Sequence, residues 1–142
     1  MNKSVMVTAV QSAGMEANIT MGGQSFVIDE TGLASGATTG PDPYDYIMSA
    51  LGACTVITLQ MYAARKGWPL ERAEVVLTHE RVHVKDCEDC EVKDAKLSQV
   101  TKTLTLTGNL TAEQRQRLEQ ISSRCPVQKT LEAGIAVKTI LI

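Results

Sequence analysis

The sequence predicts an α+β fold: a β meander, a long buried helix, a β hairpin, a second helix and a final strand. Three observations predict it. Apolar residues alternate with polar ones in the first 35 residues and again in two long segments of the second half, which is typical of strands. Between them lies a segment of helical length that is apolar on every side. Strands and helices are grouped by type and do not alternate as β-α-β.

Length and composition bound the class of protein. A chain of 142 residues suits a single domain, residues 1–142, and an apolar content of 44% is too high for a disordered chain. The net charge is −2, Lys and Arg are scattered, and there is one Trp and one Phe, which argues against nucleic acid as a partner. The sequence shows no secretory signal and no apolar run of membrane-spanning length. We therefore expect a soluble, cytoplasmic protein that binds no membrane.

The first half is expected to contain three strands and a loop. Alternation predicts a strand over residues 5–9, and Gly-rich turns separate two further short strands, one of which includes residues 26–28. An antiparallel meander is the simplest arrangement of the three. Residues 34–43 are rich in Gly, Thr, Pro and Asp, which indicates a loop.

The long helix has clear start and stop signals. Asp42 suits the N-cap and Pro43 the first helical position, while Asp45 lies in the first turn. Residues 46–64 are apolar or small on every side, so the helix is expected to be buried all round. A chain this short can hardly surround a helix of about six turns by itself, which predicts a partner subunit. Gly67 and a following Pro end the helix.

The second half is expected to form a hairpin, a helix and a strand. Residues 74–85 and 96–107 alternate as two strands, joined by a charged connection over residues 87–95. The second of these strands carries its apolar residues on one face and its threonines on the other.

A second helix follows the hairpin. Thr111 with Gln114 forms a capping-box pattern at its start, and Leu118, Ile121 and Cys125 recur at spacings of three and four on one face. Pro126 is expected to stop this helix. A short helical turn over residues 127–133 and a final apolar strand over residues 135–142 complete the chain.

The four cysteines are Cys54, Cys87, Cys90 and Cys125. Without an export signal, structural disulfides are disfavoured, which leaves metal binding, redox chemistry or simple burial. A buried Cys54 inside an apolar helix is by itself typical of an inert packing residue, and the same holds for Cys125.

Two histidines and two cysteines suggest a metal site on paper. His79, His83, Cys87 and Cys90 have a zinc-like spacing. If the histidines lie on a regular strand, however, they are about 13 Å apart at ~3.3 Å per residue, too far for one ion. Cys87 and Cys90 with one histidine, His83, are the remaining metal candidates; a local redox pair or a solvated acidic turn are the alternatives. The histidines are more simply solvent-facing or subunit-contact residues than acid–base groups.

Two segments resemble the OsmC/Ohr superfamily. GPDPYDYIMSALGACT, residues 40–55, resembles the family motif around its first cysteine, and SRCPV, residues 123–127, resembles the motif around its second. The two cysteines are 71 positions apart (125 − 54 = 71), in the order and at the separation that the family shows. The resemblance implies an OsmC-like fold and an intertwined homodimer.

The resemblance also implies a chemistry. Family peroxidases reduce hydroperoxides, so Cys54 is expected to attack the O–O bond and become a sulfenic acid, and Cys125 to condense with it to a disulfide. An external dithiol, a dihydrolipoyl group in family members, then restores both thiols, and no bound cofactor is implied. The buried position of the site favours an organic hydroperoxide.

The chain departs from the peroxidase pattern in one respect. The family holds its reactive thiolate with an N-terminal Arg paired to a Glu, but the first Arg here is Arg65 and Tyr44 stands at the Glu position. Arg65, Arg72 and Arg124 are the candidate replacements, since a thiolate needs a nearby cation. Asp45 is more simply a helix N-terminal carboxylate than a group that orients such a cation. The alternative function is a homodimer that binds a small ligand or a metal, with structural thiols.

Overall fold

The computed structural model describes residues 3–32, 35–36, 40–83 and 96–142. The chain divides into two compact units, Met1–Ile47 and Met48–Ile142, each of which is described by itself.

The first unit is built around a three-stranded antiparallel meander whose strands pair in chain order. Gly22 and Gly23 connect the second strand to the third, and both have positive φ values, 55° and 75°. Two central residues with positive φ are what the tight turn of a hairpin requires. The predicted meander is confirmed. Its strands are β1 (Met6–Thr8), β2 (Glu16–Met21) and β3 (Gln24–Asp29).

Helix α1 runs over Pro43–Lys66 and begins where the sequence predicts. The Asp45 N–H donates to Asp42 Oδ1 at 2.9 Å, and the Asp42 N–H donates to Asp45 Oδ2 at 2.8 Å. These reciprocal bonds satisfy two amide groups that have no partner within the helix, which confirms Asp42 as the N-cap.

The other end of α1 closes at Gly67. The Gly67 N–H donates to the Ala64 carbonyl at 3.2 Å and the Trp68 N–H to the Ala63 carbonyl at 2.9 Å. This pair of bonds is the Schellman arrangement, and it needs the positive φ of 68° that Gly67 adopts.

Only one stripe of α1 is buried within this chain. It consists of Leu51, Gly52, Thr55, Leu59 and Ala63. On other sides Ile57 is 57% exposed and Met61 69% exposed. The expectation of burial all round is therefore not met inside one chain, because the elements that pack on α1 cover only one of its sides.

A two-stranded hairpin packs against α1. Strands β4 (Arg72–His83) and β5 (Lys96–Thr107) pair antiparallel along their full length, from Arg72 opposite Thr107 to His83 opposite Lys96. Both predicted strands are confirmed. The predicted connection, residues 87–95, lies outside the described residues.

Helices α2 (Ala112–Ser122) and α3 (Pro126–Ala133) follow the hairpin. The Thr111 and Gln114 capping box of α2 is confirmed. Cys125 was expected within the same helix as Leu118, but it is the N-cap of α3, with Pro126 in the first turn. The reason is the proline, which disfavours a helical conformation in the residue before it and suits a helix start.

The core of the second unit lies between α1, α2 and the hairpin. Its buried members are Leu59, Ala63, Leu70, Leu118 and Ile121. Leu59 and Leu118 are completely buried. The predicted face of α2 is thus the face that packs on α1.

The expected C-terminal strand does not form within the chain. Residues 134–142 carry no helix or strand, and Ile135, Val137, Ile140 and Leu141 are 65%, 87%, 72% and 96% exposed. A strand exists only by hydrogen bonding to a neighbouring strand, and the chain's own described strands do not pair with this segment.

Candidate functional site

The structure brings Cys54 of α1 and Cys125 at the start of α3 together. Both are free thiols, and each lies close enough to the other to shift the other's pKa. Cys125 is completely buried, whereas Cys54 is partly exposed. The two thiols on which the family resemblance depends are therefore one site in this chain.

Cys125 lies in an environment that favours its thiolate. Burial opposes the thiolate, but hydrogen bonds from Cys54, the Gln128 N–H, Thr55 and the Val127 N–H outweigh it and lower the pKa of Cys125. The Gln128 N–H lies 3.3 Å from Cys125 Sγ. As the N-cap of α3, the sulfur also faces the positive end of the helix dipole.

Cys54 shows the opposite behaviour. Burial and the neighbouring Cys125 raise the pKa of Cys54, and weaker hydrogen bonds from the Val127 N–H and Thr58 oppose this. Two interacting thiols lose their protons in two steps that belong to the pair. Deprotonation is therefore favoured at Cys125 and opposed at Cys54.

A lysine lies beside the pair. Lys102 Nζ of β5 donates to Thr55 Oγ1 at 3.2 Å, to the Ser122 carbonyl at 2.8 Å and to Gln128 Oε1 at 2.6 Å. Three bonds to three acceptors match the three donors of an ammonium group. Burial lowers the pKa of Lys102, while negative charge at Cys125, Glu132 and Cys54 opposes this.

Sequence reasoning missed Lys102, although a signal was present. Lys102 has the same parity in β5 as Val100, Leu104 and Leu106, and this is the face that turns inward. A lysine in the middle of an apolar strand face is unusual, because a charged group there needs partners.

The three arginines considered as the cation have other positions. Arg72 pairs with Glu74 at 3.2 Å on the surface. The guanidinium of Arg65 lies 5.4 Å from the centre of the Tyr62 ring. Arg124 is exposed.

Asp45 belongs to the N-terminus of α1. Its carboxylate accepts the Asp42 N–H, which is the capping role that the sequence favoured. Tyr44, at the family's Glu position, is 44% exposed. Both residues lie in the first unit, whereas Cys54 and Cys125 lie in the second.

The candidate metal ligands cannot all be placed relative to one another. Cys87, Cys90 and the side chain of His83 lie outside the described residues. The pairing of β4 with β5 continues without a bulge from His79 to His83, so these two positions are about 13 Å apart at ~3.3 Å per residue. Among the residues that the structure describes, no three His, Cys, Asp or Glu side chains are grouped to hold a metal ion.

The protein is thus an α+β chain with one thiol in the long helix α1 and a second thiol at the N-cap of α3. The family model described as "OsmC-like protein" matches residues 35–140, and the chain therefore belongs to the OsmC-like family. No curated protein matches the sequence.

Solved structures share the fold at low sequence identity. An OsmC-like protein from Mycoplasma pneumoniae is 14% identical, with a TM-score of 0.70 over 93% of this chain and 88% of that one. The organic hydroperoxide resistance protein OhrB of Bacillus subtilis is 19% identical, with a TM-score of 0.62 over 91% and 89%. An organic hydroperoxide resistance protein OsmC from Legionella pneumophila, also described as a predicted redox protein, is 11% identical, with a TM-score of 0.66 over 91% and 88%.

Helix α1 resembles a membrane helix in length and composition. Within the described part of the chain it is the one helix that is long and apolar enough to cross a membrane, although no apolar run of that length was expected from the sequence. The central helix of a soluble protein has the same properties, so this single helix is weak support for a membrane span.

Proposed function

We propose that this protein is a thiol peroxidase that reduces organic hydroperoxides, with Cys54 and Cys125 as its redox pair. The observation that carries the proposal is that two free thiols, on residues 71 positions apart in the sequence (125 − 54 = 71), lie close enough to interact. A resolving thiol is useful only if it lies close to the thiol that is first oxidised.

Cys54 is the attacking sulfur because it is the more exposed of the two. As Cys54 attacks the terminal peroxide oxygen, its proton passes to the Cys125 thiolate. The O–O bond breaks, Cys54 becomes a sulfenic acid, and the alkoxide takes a proton from water and leaves as the alcohol. The raised pKa of Cys54 also makes its sulfur intrinsically more nucleophilic once the proton is gone.

Cys125 then completes the oxidation. Its sulfur attacks the sulfur of the Cys54 sulfenic acid, the S–O bond breaks, and the Cys125 proton leaves with the hydroxyl group as water. The product is a Cys54–Cys125 disulfide. An external dithiol of the lipoyl type reduces it by exchange, giving up two hydrogens and becoming a disulfide itself. The cycle needs no bound cofactor.

The structural relatives support a hydroperoxide as substrate. Two of the solved structures are described as organic hydroperoxide resistance proteins, at 19% and 11% identity. An organic peroxide suits the apolar surroundings of Cys54 in α1 better than a charged substrate does.

The protein is further proposed to act as a cytoplasmic homodimer that binds neither nucleic acid nor membrane. The free thiols of Cys54 and Cys125 fit a reducing compartment. The exposed Ile57 and Met61 of α1 and the exposed apolar C-terminal segment support a second copy as the partner.

The decisive experiment adds one equivalent of cumene hydroperoxide to the reduced, metal-free protein and maps its thiols by mass spectrometry within seconds. We expect a Cys54–Cys125 disulfide in the wild type and in the matched control Cys87→Ser/Cys90→Ser. Cys54→Ser should form no such disulfide, and Cys125→Ser should accumulate oxidised Cys54.

The opposite result favours a different function. The raised pKa of Cys54 is also what an unreactive structural thiol would show. If Cys54 stays reduced while only Cys87 and Cys90 react, the peroxidase proposal fails, and a homodimer that binds a small ligand or a metal becomes the better account.

A further inference from the structure

We propose that the ammonium group of Lys102 is the cation that stabilises the negative charge of the Cys54–Cys125 pair. In the peroxidase pattern an N-terminal arginine holds the reactive thiolate, and the first arginine of this chain is Arg65. Lys102 would take the role of that arginine. The inference adds a cation to the proposed peroxidase site. Only the expected effect of Lys102 on peroxide reduction rests on the proposed function.

Lys102 has no carboxylate within ion-pair distance in the part of the chain that the structure describes. There, Arg72 with Glu74 is the one side-chain ion pair within 4 Å. Lys102 is partly buried, and the three acceptors that its Nζ contacts are all uncharged. A partly buried charge without a counterion is costly, so an anion near Lys102 is expected to stabilise it.

Two of the acceptors connect Lys102 to the thiol pair. Thr55 follows Cys54 in α1, and its side chain lies close enough to Cys125 to help lower the Cys125 pKa. Gln128 accepts from Lys102 with its side chain and donates its backbone N–H to Cys125. Lys102 thus contacts both elements that carry the cysteines, which also makes it a positioning residue.

The charges around the site leave the thiol pair as the principal anion for Lys102. Negative charge on Cys125 acts on Lys102 more strongly than that of Glu132, the other acidic group that raises its pKa. The cavity beside Lys102 is also lined by Arg115 and Glu119 of α2, one of each sign. On β4, Leu77 lies opposite Lys102, and the nearest titratable residue on that strand is His79, opposite Val100.

Solvent limits the size of the effect. The cavity that reaches Lys102 has a volume of about 1280 Å³ and is open to water. A nearby opposite charge shifts a pKa by about 1–3 units, and screening places Lys102 at the low end of that range. Removing the charge is therefore expected to raise the midpoint of thiolate formation by about one pH unit.

The test compares Lys102→Met and Lys102→Arg with Lys129→Met, which removes the same charge from an exposed position on α3. The readout is the pH dependence of iodoacetamide alkylation at Cys54 and Cys125, followed by mass spectrometry under reducing conditions. We expect Lys102→Met to shift the profile to higher pH and to slow alkylation at neutral pH about tenfold. Lys102→Arg should retain most of the wild-type profile, and Lys129→Met all of it.

Two results would overturn the inference. One is a Lys102→Met profile that overlies the wild type. The other is a shift that Lys102→Arg shares in full, since loss of packing and not loss of charge would then be responsible.

A measurement on the wild type covers the case in which Lys102→Met does not fold. NMR of protein carrying 13C-labelled lysine gives the Lys102 pKa before and after oxidation of the pair with diamide. The disulfide has no negative charge, so the Lys102 pKa should fall on oxidation; an unchanged pKa contradicts the inference. Neither test uses a hydroperoxide, so a protein that fails as a peroxidase can still show the Lys102 effect.

Discussion

The side chain of Thr55 interacts with several groups of the candidate site. It is completely buried, its hydroxyl donates to the Leu51 carbonyl at 2.8 Å, and it accepts from Lys102 at 3.2 Å. The same side chain also helps to lower the Cys125 pKa. A hydroxyl has one proton, so it can donate to Leu51 or to Cys125 but not to both at once.

Thr55→Val is expected to separate these roles because valine has nearly the same shape without the hydroxyl. The variant leaves Lys102 with one acceptor fewer, which should lower the free energy of unfolding by about 1–2 kcal/mol. It should also raise the Cys125 pKa, so alkylation of Cys125 moves to higher pH. Urea denaturation under reducing conditions and the alkylation profile measure the two effects.

Thr105→Val is the matched control for that experiment, since Thr105 lies on the exposed face of β5. It should change neither quantity appreciably. A Thr55→Val protein with wild-type stability and a wild-type profile would show that the buried hydroxyl plays no part in the site.

At the scale of the element, the end of β5 depends on Gly108. Its φ is 145°, and a Cβ built on it would lie 2.0 Å from the Pro69 carbonyl oxygen. The obstacle is backbone that leads from α1 into β4, and backbone cannot rotate away as a side chain can. Two segments therefore approach each other here more closely than any residue with a side chain would allow.

Gly108→Ala is expected to lower the free energy of unfolding by about 2–3 kcal/mol, because both segments must move apart. Thermal or urea unfolding measures the loss. Gly134→Ala is the control: Gly134 also has a positive φ, 88°, but no atom lies within 4 Å of the position that a Cβ would take there. If both variants lose the same stability, backbone strain and not the contact with Pro69 is the cause.

At the scale of the whole molecule, the distribution of apolar surface is the main feature. One stripe of α1 is buried, yet Ile57 and Met61 of the same helix are more than half exposed. The segment after Gly134 exposes a further set of branched apolar side chains. Exposed apolar residues on a central helix and in a segment without a strand partner are typical of a surface that another chain covers.

We expect the protein to have twice the mass of the chain in sedimentation or light-scattering measurements. Ile57→Glu should weaken the dimer at least about tenfold, because it places a charge in the expected interface. Gln60→Glu adds the same charge at an exposed polar position of α1 and should leave the dimer intact. A wild type that stays monomeric at micromolar concentration, or equal masses for the two variants, would contradict the proposed homodimer.

The sequence predicted most of the fold because its signals are local. Asp42, Pro43 and Gly67 marked both ends of α1, and Thr111 with Gln114 marked the start of α2. The capping residues act through hydrogen bonds to residues at most about five positions away, and Pro43 acts through its own fixed φ, so each signal is complete within a short stretch of sequence. The alternation of apolar and polar residues that identified β4 and β5 is likewise a pattern among residues that are close in the sequence.

Predictions from local patterns were wrong in two places. Cys125 was placed inside α2, although Pro126 in the neighbouring position favours a new helix start. A strand was expected over residues 135–142 from their apolar character alone, but pairing requires a free neighbouring edge, which apolar composition does not supply.

By itself the sequence determined the α+β class and most of the helix and strand boundaries and, through two motifs, singled out Cys54 and Cys125 as candidates. Only the tertiary structure decided that Cys54 and Cys125 lie close enough to shift each other's pKa, that the two pKa values are shifted in opposite directions and that Lys102 lies beside them. The physical reason is the range of the interactions. Lys102 reaches Thr55 across 47 positions and Gln128 across 26, and such contacts exist only after the helices have packed on the hairpin.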